Sequence, residues 1–411
     1  MASRIESTLA GGMESRAAGG MERRVAGGIK RRTVRRSRAF GPAALLTLAA
    51  LLLAAAPLAA QAKTQVPPPV PGAPRVVEQR ITVHSPALVG NLEGESPNRT
   101  VLVFLPPGYH RHPHRRYPVL YALHGFFIGA EQWTHEIHVP ETIANAYARG
   151  ARPMIVVLPD SKTVYGGSMY SASPTAGNFE RFIAHDLVRY MDTHYRTIPN
   201  RLSRGLVGHS MGGYGALRIG MQHPGVFSSL YVMSPCCLAP MTGQRPGFGP
   251  KHPPSLTKLL QGVTSPADAV RKTPWFLHPL LALAAAWSPD PDKPPLYLDL
   301  PFQHGKPRPR IMAEWAANSP LAMLDQYIAN LRRYRAIALD AGDHDPLRFD
   351  TMRVHRILDS YHIANTLEIY PGTHTSHVAY RFQNHVLPFF SRHLCFTAHC
   401  RPRRAAVRPV G

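Results

Sequence analysis

Eight short β-rich runs, separated by stretches with helical periodicity, constrain this chain more than any other feature of it. RITVHS, TVLVFLP, VLYALHG, MIVVLPD, GLVGHS, SLYVMSP, YRAIALD and TLEIYPG are rich in β-branched and aromatic residues and too short for helices. Several are apolar without interruption, the pattern of strands buried on both faces. Helices are expected between them at 130–148, 178–195, 213–223 and 352–362. Such alternation calls for a mostly parallel sheet covered by helices on each side, so the expected fold class is α/β, a three-layer sandwich. The 44% of hydrophobic residues suffice for its core, and four Cys in 411 residues exclude a disulfide-built miniprotein or a Cys-rich zinc module.

The formal net charge of +22 raises the question of a nucleic-acid partner. Residues 1–62 carry +7 of it and residues 401–411 another +4. Of the 47 basic residues 39 are Arg, as a GC-rich coding bias would produce. No helix-turn-helix, zinc-finger or RNA-binding signature is present, so no nucleic-acid partner is expected. An anionic cell envelope is the kind of surface that such a charge would suit for peripheral contact.

The ends read differently from the middle. Residues 1–32 contain an octapeptide repeat, LAGGMESR, AAGGMERR, VAGGIKRR, which reads as a basic arm or as sequence upstream of a later start. At 33–62 a basic run is followed by the apolar residues Ala43 to Ala56 and by Ala60-Gln61-Ala62, the layout of a cleavable secretory signal. Export to the periplasm or the exterior, with cleavage near Ala62, is the expectation. The Pro-rich 63–77 reads as an extended, poorly packed linker and 395–411 as a basic surface tail, which leaves 78–394 as the folded domain. Within it, the Pro-rich 238–310 is too long for a plain connection and reads as an insertion serving as a lid or pocket wall, with Trp287, Tyr297 and Phe302 toward the pocket, or as a surface excursion. Cys395 and Cys400 are close enough in sequence to pair, although four Cys allow three complete pairings.

Chemistry concentrates at Gly208-His209-Ser210-Met211-Gly212. G-x-S-x-G arises by chance in roughly one chain in ten of this length. Its place between an apolar strand and a helix-compatible GYGALRIGMQH makes it a sharp turn that exposes a serine nucleophile. Serine needs a base, and the base an orienting acid; in such folds they follow in the order Ser, acid, His. DAGDHDPL offers Asp340, Asp343 and Asp345, and PGTHTSHV offers His374 and His377, each in a loop after a strand. The oxyanion needs two amide donors, one of them Met211 and the other in LHGFFIG. Phe126, Phe127 and Trp133 are either walls of an acyl pocket or core aromatics, while Gly166, Gly167 and Ser168 are expected to line the site. No metal-ligand spacing, P-loop or dinucleotide fingerprint is present, so neither metal nor cofactor is expected.

YPVLYALHG, YGGSMYSASPTAGNFERFIAHDL, GHSMGGYGALRIGMQHPGVFSSLYVMSP, AGDHD and PGTHTSHV together resemble the esterase D family of α/β hydrolases, over roughly 102–394. The resemblance implies the α/β-hydrolase form of the sandwich and acyl transfer from an ester or thioester. It assigns the acid to Asp345, the base to His374 and the second oxyanion amide to Phe126. Where the family has a Gly-His-Asp-Trp-like run this chain reads Thr-His-Thr-Ser-His, which keeps His377 and Asp343 as alternatives. The functional expectation is an exported serine esterase acting on a small-molecule ester through an acyl-enzyme. An acyltransferase to an envelope sugar or lipid would use the same residues, and a catalytically silent binding protein would use the scaffold alone.

Overall fold

The structure, a computed structural model, describes residues 64–240, 255–303, 306–397 and 400. The repeat at 1–32, the signal segment at 33–62 and the tail from 401 onward lie outside the described residues.

All eight β-rich runs become strands of one sheet: β1 Val77–His84, β2 Asn98–Leu105, β3 Val119–Leu123, β4 Ile155–Pro159, β5 Arg204–His209, β6 Ser229–Met233, β7 Ala336–Gly342 and β8 Thr366–Tyr370. Their order across the sheet is β1-β2-β4-β3-β5-β6-β7-β8. β2 is antiparallel to both of its neighbours and every other pair is parallel. Side chains alternate between two cores. Val101, Val103 and Leu105 of β2 enter one, and Leu102 and Phe104 enter the other. The register sets Leu123 beside Gly208, His209 beside Met233, Met233 beside Asp340 and Gly342 beside Tyr370. The loops that follow β3, β5, β7 and β8 therefore leave the same sheet edge, where open α/β sheets place their sites.

The helices depart from expectation in detail. The stretch 130–148 is two helices, Ala130–Glu136 and Val139–Ala148. The break falls at His138, in the left-handed region at φ 49°, just before Pro140, which has no N–H to continue a helix. The stretch 178–195 passes through a π-helical segment at Phe182–Asp186.

Residues 64–70 are extended, as Pro content dictates, but they are not loose. Val66 is half-buried against the core, the Gln65 amide donates to the carbonyl of Ser376 at 2.6 Å, and Val70 donates to Asn145 Oδ1 at 2.8 Å. The Ala379 amide donates to Thr64 Oγ1. The described part of the insertion is likewise tied to the core. It supplies the helices Leu256–Leu259, Pro266–Lys272 and His278–Trp287, and Trp287 packs edge-on against Trp315 and 5.5 Å from the ring of Tyr214. Trp287 is thus a core residue and not a pocket wall. Cys395 is disulfide-bonded to Cys400, and the Cys395 amide donates to the carbonyl of Leu202, which anchors the start of the tail.

Candidate active site

β5 ends at His209 and the helix Met211–Gln222 begins two residues later, so the chain must reverse at Ser210. Ser210 does this at φ 58° and ψ −114°, a conformation that L-residues avoid and functional turns retain. The turn closes only because its flanks are glycines. A Cβ on Gly208 would lie 2.1 Å from the Gly212 carbonyl oxygen, and one on Gly212 would lie 2.0 Å from that of Leu123. The motif is therefore a packing requirement here, and its result is a partly exposed hydroxyl at the start of a helix.

Two loops bring the partners of Ser210. Asp345 stands three residues past the end of β7 and is fully buried; His374 stands four residues past the end of β8. His374 Nδ1 lies 2.8 Å from Asp345 Oδ2, and His374 Nε2 lies 2.9 Å from Ser210 Oγ. A carboxylate can only accept, so Nδ1 carries the proton and Nε2 offers its lone pair to the hydroxyl. Burial works against the Asp345 carboxylate, but hydrogen bonds from His374 and from the Leu347 amide outweigh it and hold its pKa below the ordinary aspartate value. The acid stays ionised beside the imidazole.

The alternative residues are occupied elsewhere. Asp340 Oδ2 accepts from Arg381 Nε at 2.9 Å and from the Tyr231 hydroxyl at 3.0 Å, beneath the sheet edge. Asp343 Oδ1 accepts from the Gly372 amide and meets His344, bracing one loop against the other. His377 Nδ1 meets Ser376 Oγ at 2.8 Å, and its ring packs against Tyr370 and Tyr380. These contacts turn all three side chains away from the chain of bonds that joins Asp345, His374 and Ser210.

The Met211 amide is the first of its helix and has no acceptor there. The Phe127 amide donates to the carbonyl of Gly166 at 2.9 Å, which pins the turn that presents Phe126. A Cβ on Gly167 would meet Met211 Sδ at 2.4 Å and the Phe126 ring at 2.6 Å, so Gly167 lets these two pack together. Phe127, at φ 69°, is 37% exposed and faces Trp275 of the insertion across 5.8 Å. Trp133 is 2% exposed and packs against Phe382 in the core, away from this group, because its helix turns that face to the sheet. Ser168 is buried, with its hydroxyl accepting from the Tyr170 amide, so it supports the loop and does not line the opening.

Sequence reasoning passed over three residues. His124 is buried, accepts the Ser161 amide at Nε2 and donates from Nδ1 to the carbonyl of Gly125. Burial keeps its pKa below the usual imidazole value. His209 bonds the backbone of His374. Trp275 is 69% exposed beside Phe127. The HG of LHG and the variable position of G-x-S-x-G were the available signals for the first two; nothing in the Pro-rich insertion distinguished Trp275 from its other aromatics.

The family model described as "Putative esterase" matches residues 96–393, from just before β2 to the last helix of the domain. The chain belongs to this esterase family. Its members are esterases of the α/β-hydrolase type, and the sheet order and the serine turn of this chain conform to that fold. Among curated proteins, Esterase Rv1288 of Mycobacterium tuberculosis (strain ATCC 25618 / H37Rv) is 31% identical over 137 residues, 32% of this chain and 28% of that protein. An endo-1,4-beta-xylanase/feruloyl esterase of Xylanibacter ruminicola is 29% identical over 140 residues, 33% of this chain and 19% of that protein. The chain thus spans less than a third of the length of either. Of solved structures, a ferulic acid esterase superposes with a TM-score of 0.53 at 21% identity, over 77% of this chain and 98% of that one. An S-formylglutathione hydrolase from Agrobacterium tumefaciens reaches 0.50 at 16% identity, over 78% and 96%. These two superpositions establish the α/β-hydrolase fold.

Proposed function

We propose that this member of the esterase family is a serine hydrolase that cleaves small-molecule carboxylic esters through an acyl-enzyme. The observation that carries the reading is the continuous hydrogen-bonded chain Asp345, His374, Ser210, set on a turn whose serine holds a strained backbone. Ser210 Oγ attacks the ester carbonyl while its proton passes to His374 Nε2. The amides of Met211 and Phe126 receive the charge that develops on the carbonyl oxygen. Asp345, ionised and buried, stabilises the imidazolium and holds its ring. When the tetrahedral species collapses, His374 returns the proton to the leaving alcohol. Water, activated by the same nitrogen, then hydrolyses the acyl-serine. Phe126 and Phe127, with Trp275 beyond them, form an apolar wall suited to the acyl group.

The reading includes export. It rests on the signal-like segment at 33–62, and the seating of residues 64–70 on the domain is consistent with a mature chain that starts just before Thr64.

The test is hydrolysis of p-nitrophenyl esters of graded acyl length by purified protein, with and without an alcohol acceptor. Turnover with a burst of p-nitrophenol supports the acyl-enzyme, and faster release of p-nitrophenol with the alcohol, together with ester formation, would mark a transferase. No turnover on any ester would leave the silent scaffold as the better account.

A further inference from the structure

We propose that His209 is a positioning residue that ties the base-bearing loop to the serine turn. The inference rests on the serine-hydrolase reading and extends it to a residue that touches none of the reacting atoms.

His209 is the last residue of β5 and is bonded directly to Ser210 in the chain. Its side chain is 6% exposed. Nε2 lies 2.8 Å from the carbonyl oxygen of His374, and the two rings stand 4.8 Å apart at 37°. A carbonyl oxygen can only accept, so Nε2 carries the hydrogen and Nδ1 is the bare nitrogen. Gly125, on the loop after β3, lies on the Nδ1 side, so that a Cβ placed on it would stand 3.7 Å from His209 Nδ1 and 3.6 Å from Ser210 Cβ. The imidazole therefore joins the loop that carries the base to the residue that leads directly into the serine turn.

The loop 371–377 needs such a tie. Gly372 is held by Asp343 and by the His344 amide, and Ser376 by the Gln65 amide and by the Thr373 amide. These bonds fix the two ends of the turn. The contact at His374 itself comes from His209, on the backbone carbonyl of the catalytic residue. With His374 required at 2.8 Å from one partner and 2.9 Å from the other, a drift of about 1 Å in its backbone would break the relay. A neutral His209 also adds no positive charge beside an imidazolium forming on His374, whereas a lysine or arginine donor in its place would oppose that charge.

The experiment compares His209→Gln, His209→Phe, His209→Asn and Ser210→Ala with wild type on a short-chain p-nitrophenyl ester, with kcat expressed per site titrated by a fluorophosphonate for wild type and the His209 variants and per protein chain for Ser210→Ala. Glutamine places an amide nitrogen where Nε2 was and keeps the donor. Phenylalanine keeps a ring and loses the donor, and asparagine has a donor too short to reach. The expected result is a fall in kcat of at least about tenfold for His209→Phe and His209→Asn, with KM within about twofold, and a kcat for His209→Gln within about threefold of wild type. Thermal unfolding establishes that each compared variant is folded, and either donor-lacking variant suffices. Wild-type kcat in a folded donor-lacking variant, or a His209→Gln as impaired as the other two, would overturn the role of His209 while Ser210→Ala remained dead. Activity in Ser210→Ala would instead overturn the serine-hydrolase reading beneath it.

Discussion

The Nε2 of His374 lies 2.9 Å from the Oγ of Ser210, although the two residues are 164 positions apart in the chain. The sheet makes the meeting happen. β5 and β8 end at one edge with β6 and β7 between them, and the loops beyond their ends close the gap. Asp345 enters from the loop after β7 and completes the chain of bonds.

The assignment of base and acid makes opposite predictions for neighbouring residues. His374→Ala and Asp345→Asn should each reduce kcat/KM by about three orders of magnitude or more while the protein stays folded. Asp343→Asn and His377→Ala should retain most activity, since their partners are Gly372, His344 and Ser376. Steady-state kinetics of the four variants decides. A dead Asp343→Asn beside an active Asp345→Asn would move the acid to the other position.

Gly212→Ala should be far more damaging to the fold than to chemistry. Its Cβ would lie 2.0 Å from the Leu123 carbonyl oxygen, a backbone atom that cannot move without displacing β3. A loss of about 3 kcal/mol or more is expected, read as a fall in the urea midpoint. Unchanged stability would mean that the turn relaxes in a way that its present geometry does not suggest.

His209 should make the domain sensitive to acid. Burial, then the neighbouring His374, push its pKa from the ordinary 6.5 down to about 3, against the opposing pull of the His374 carbonyl and Asp345. The unfolded chain takes up this proton below about 6.5, and the folded one only near 3. Stability is therefore lost as pH falls through that window, by up to about 1.4 kcal/mol per pH unit. Between about pH 7 and 4.5, His209→Phe should lose about 2 kcal/mol less than wild type, measured by urea unfolding at both pH values. Equal losses would show that His209 is not held neutral.

The proposed export can be checked at the N-terminus. Mass spectrometry of the exported protein should find a chain that begins near Lys63, and Asn145→Ala should loosen the segment 64–70 from the domain. Asn145 accepts from Val70 and donates to the carbonyl of Pro68 and to Gln383. Its loss should cost about 1–3 kcal/mol and expose that segment to proteolysis. An intact cytoplasmic chain beginning at Met1 would contradict export.

The central strands were legible because a strand buried on both faces must be apolar throughout, whereas the edge strands β1 and β8, exposed for most of their length, were legible only from their β-branched and aromatic content. The serine was legible because two glycines four positions apart at a strand end have a steric cause, visible at Gly208 and Gly212. The choice between His374 and His377 was not legible from the residues alone. They sit three positions apart in one loop, and only the path of that loop over Asp345 turns one inward. The aromatics divided for a similar reason. Trp133 faces the sheet because of the phase of its helix, while Phe127 sits on a left-handed turn that points it outward. In the insertion, Trp287 was absorbed by the core through Tyr214 and Trp315, and Trp275, twelve residues earlier, was left at the surface. The Pro-rich segment 64–70 reads as loose because proline predicts extension, and extension says nothing about the amides that hold it down.

The most direct test of the whole account is the reaction of Ser210. Wild-type protein treated with a fluorophosphonate should gain one adduct on the peptide that contains Ser210, with loss of ester hydrolysis in step with labelling. Ser210→Ala should take up no label and lose at least about three orders of magnitude in kcat while unfolding at the wild-type temperature. Hydrolysis by a folded Ser210→Ala protein at near the wild-type rate would contradict the serine mechanism outright.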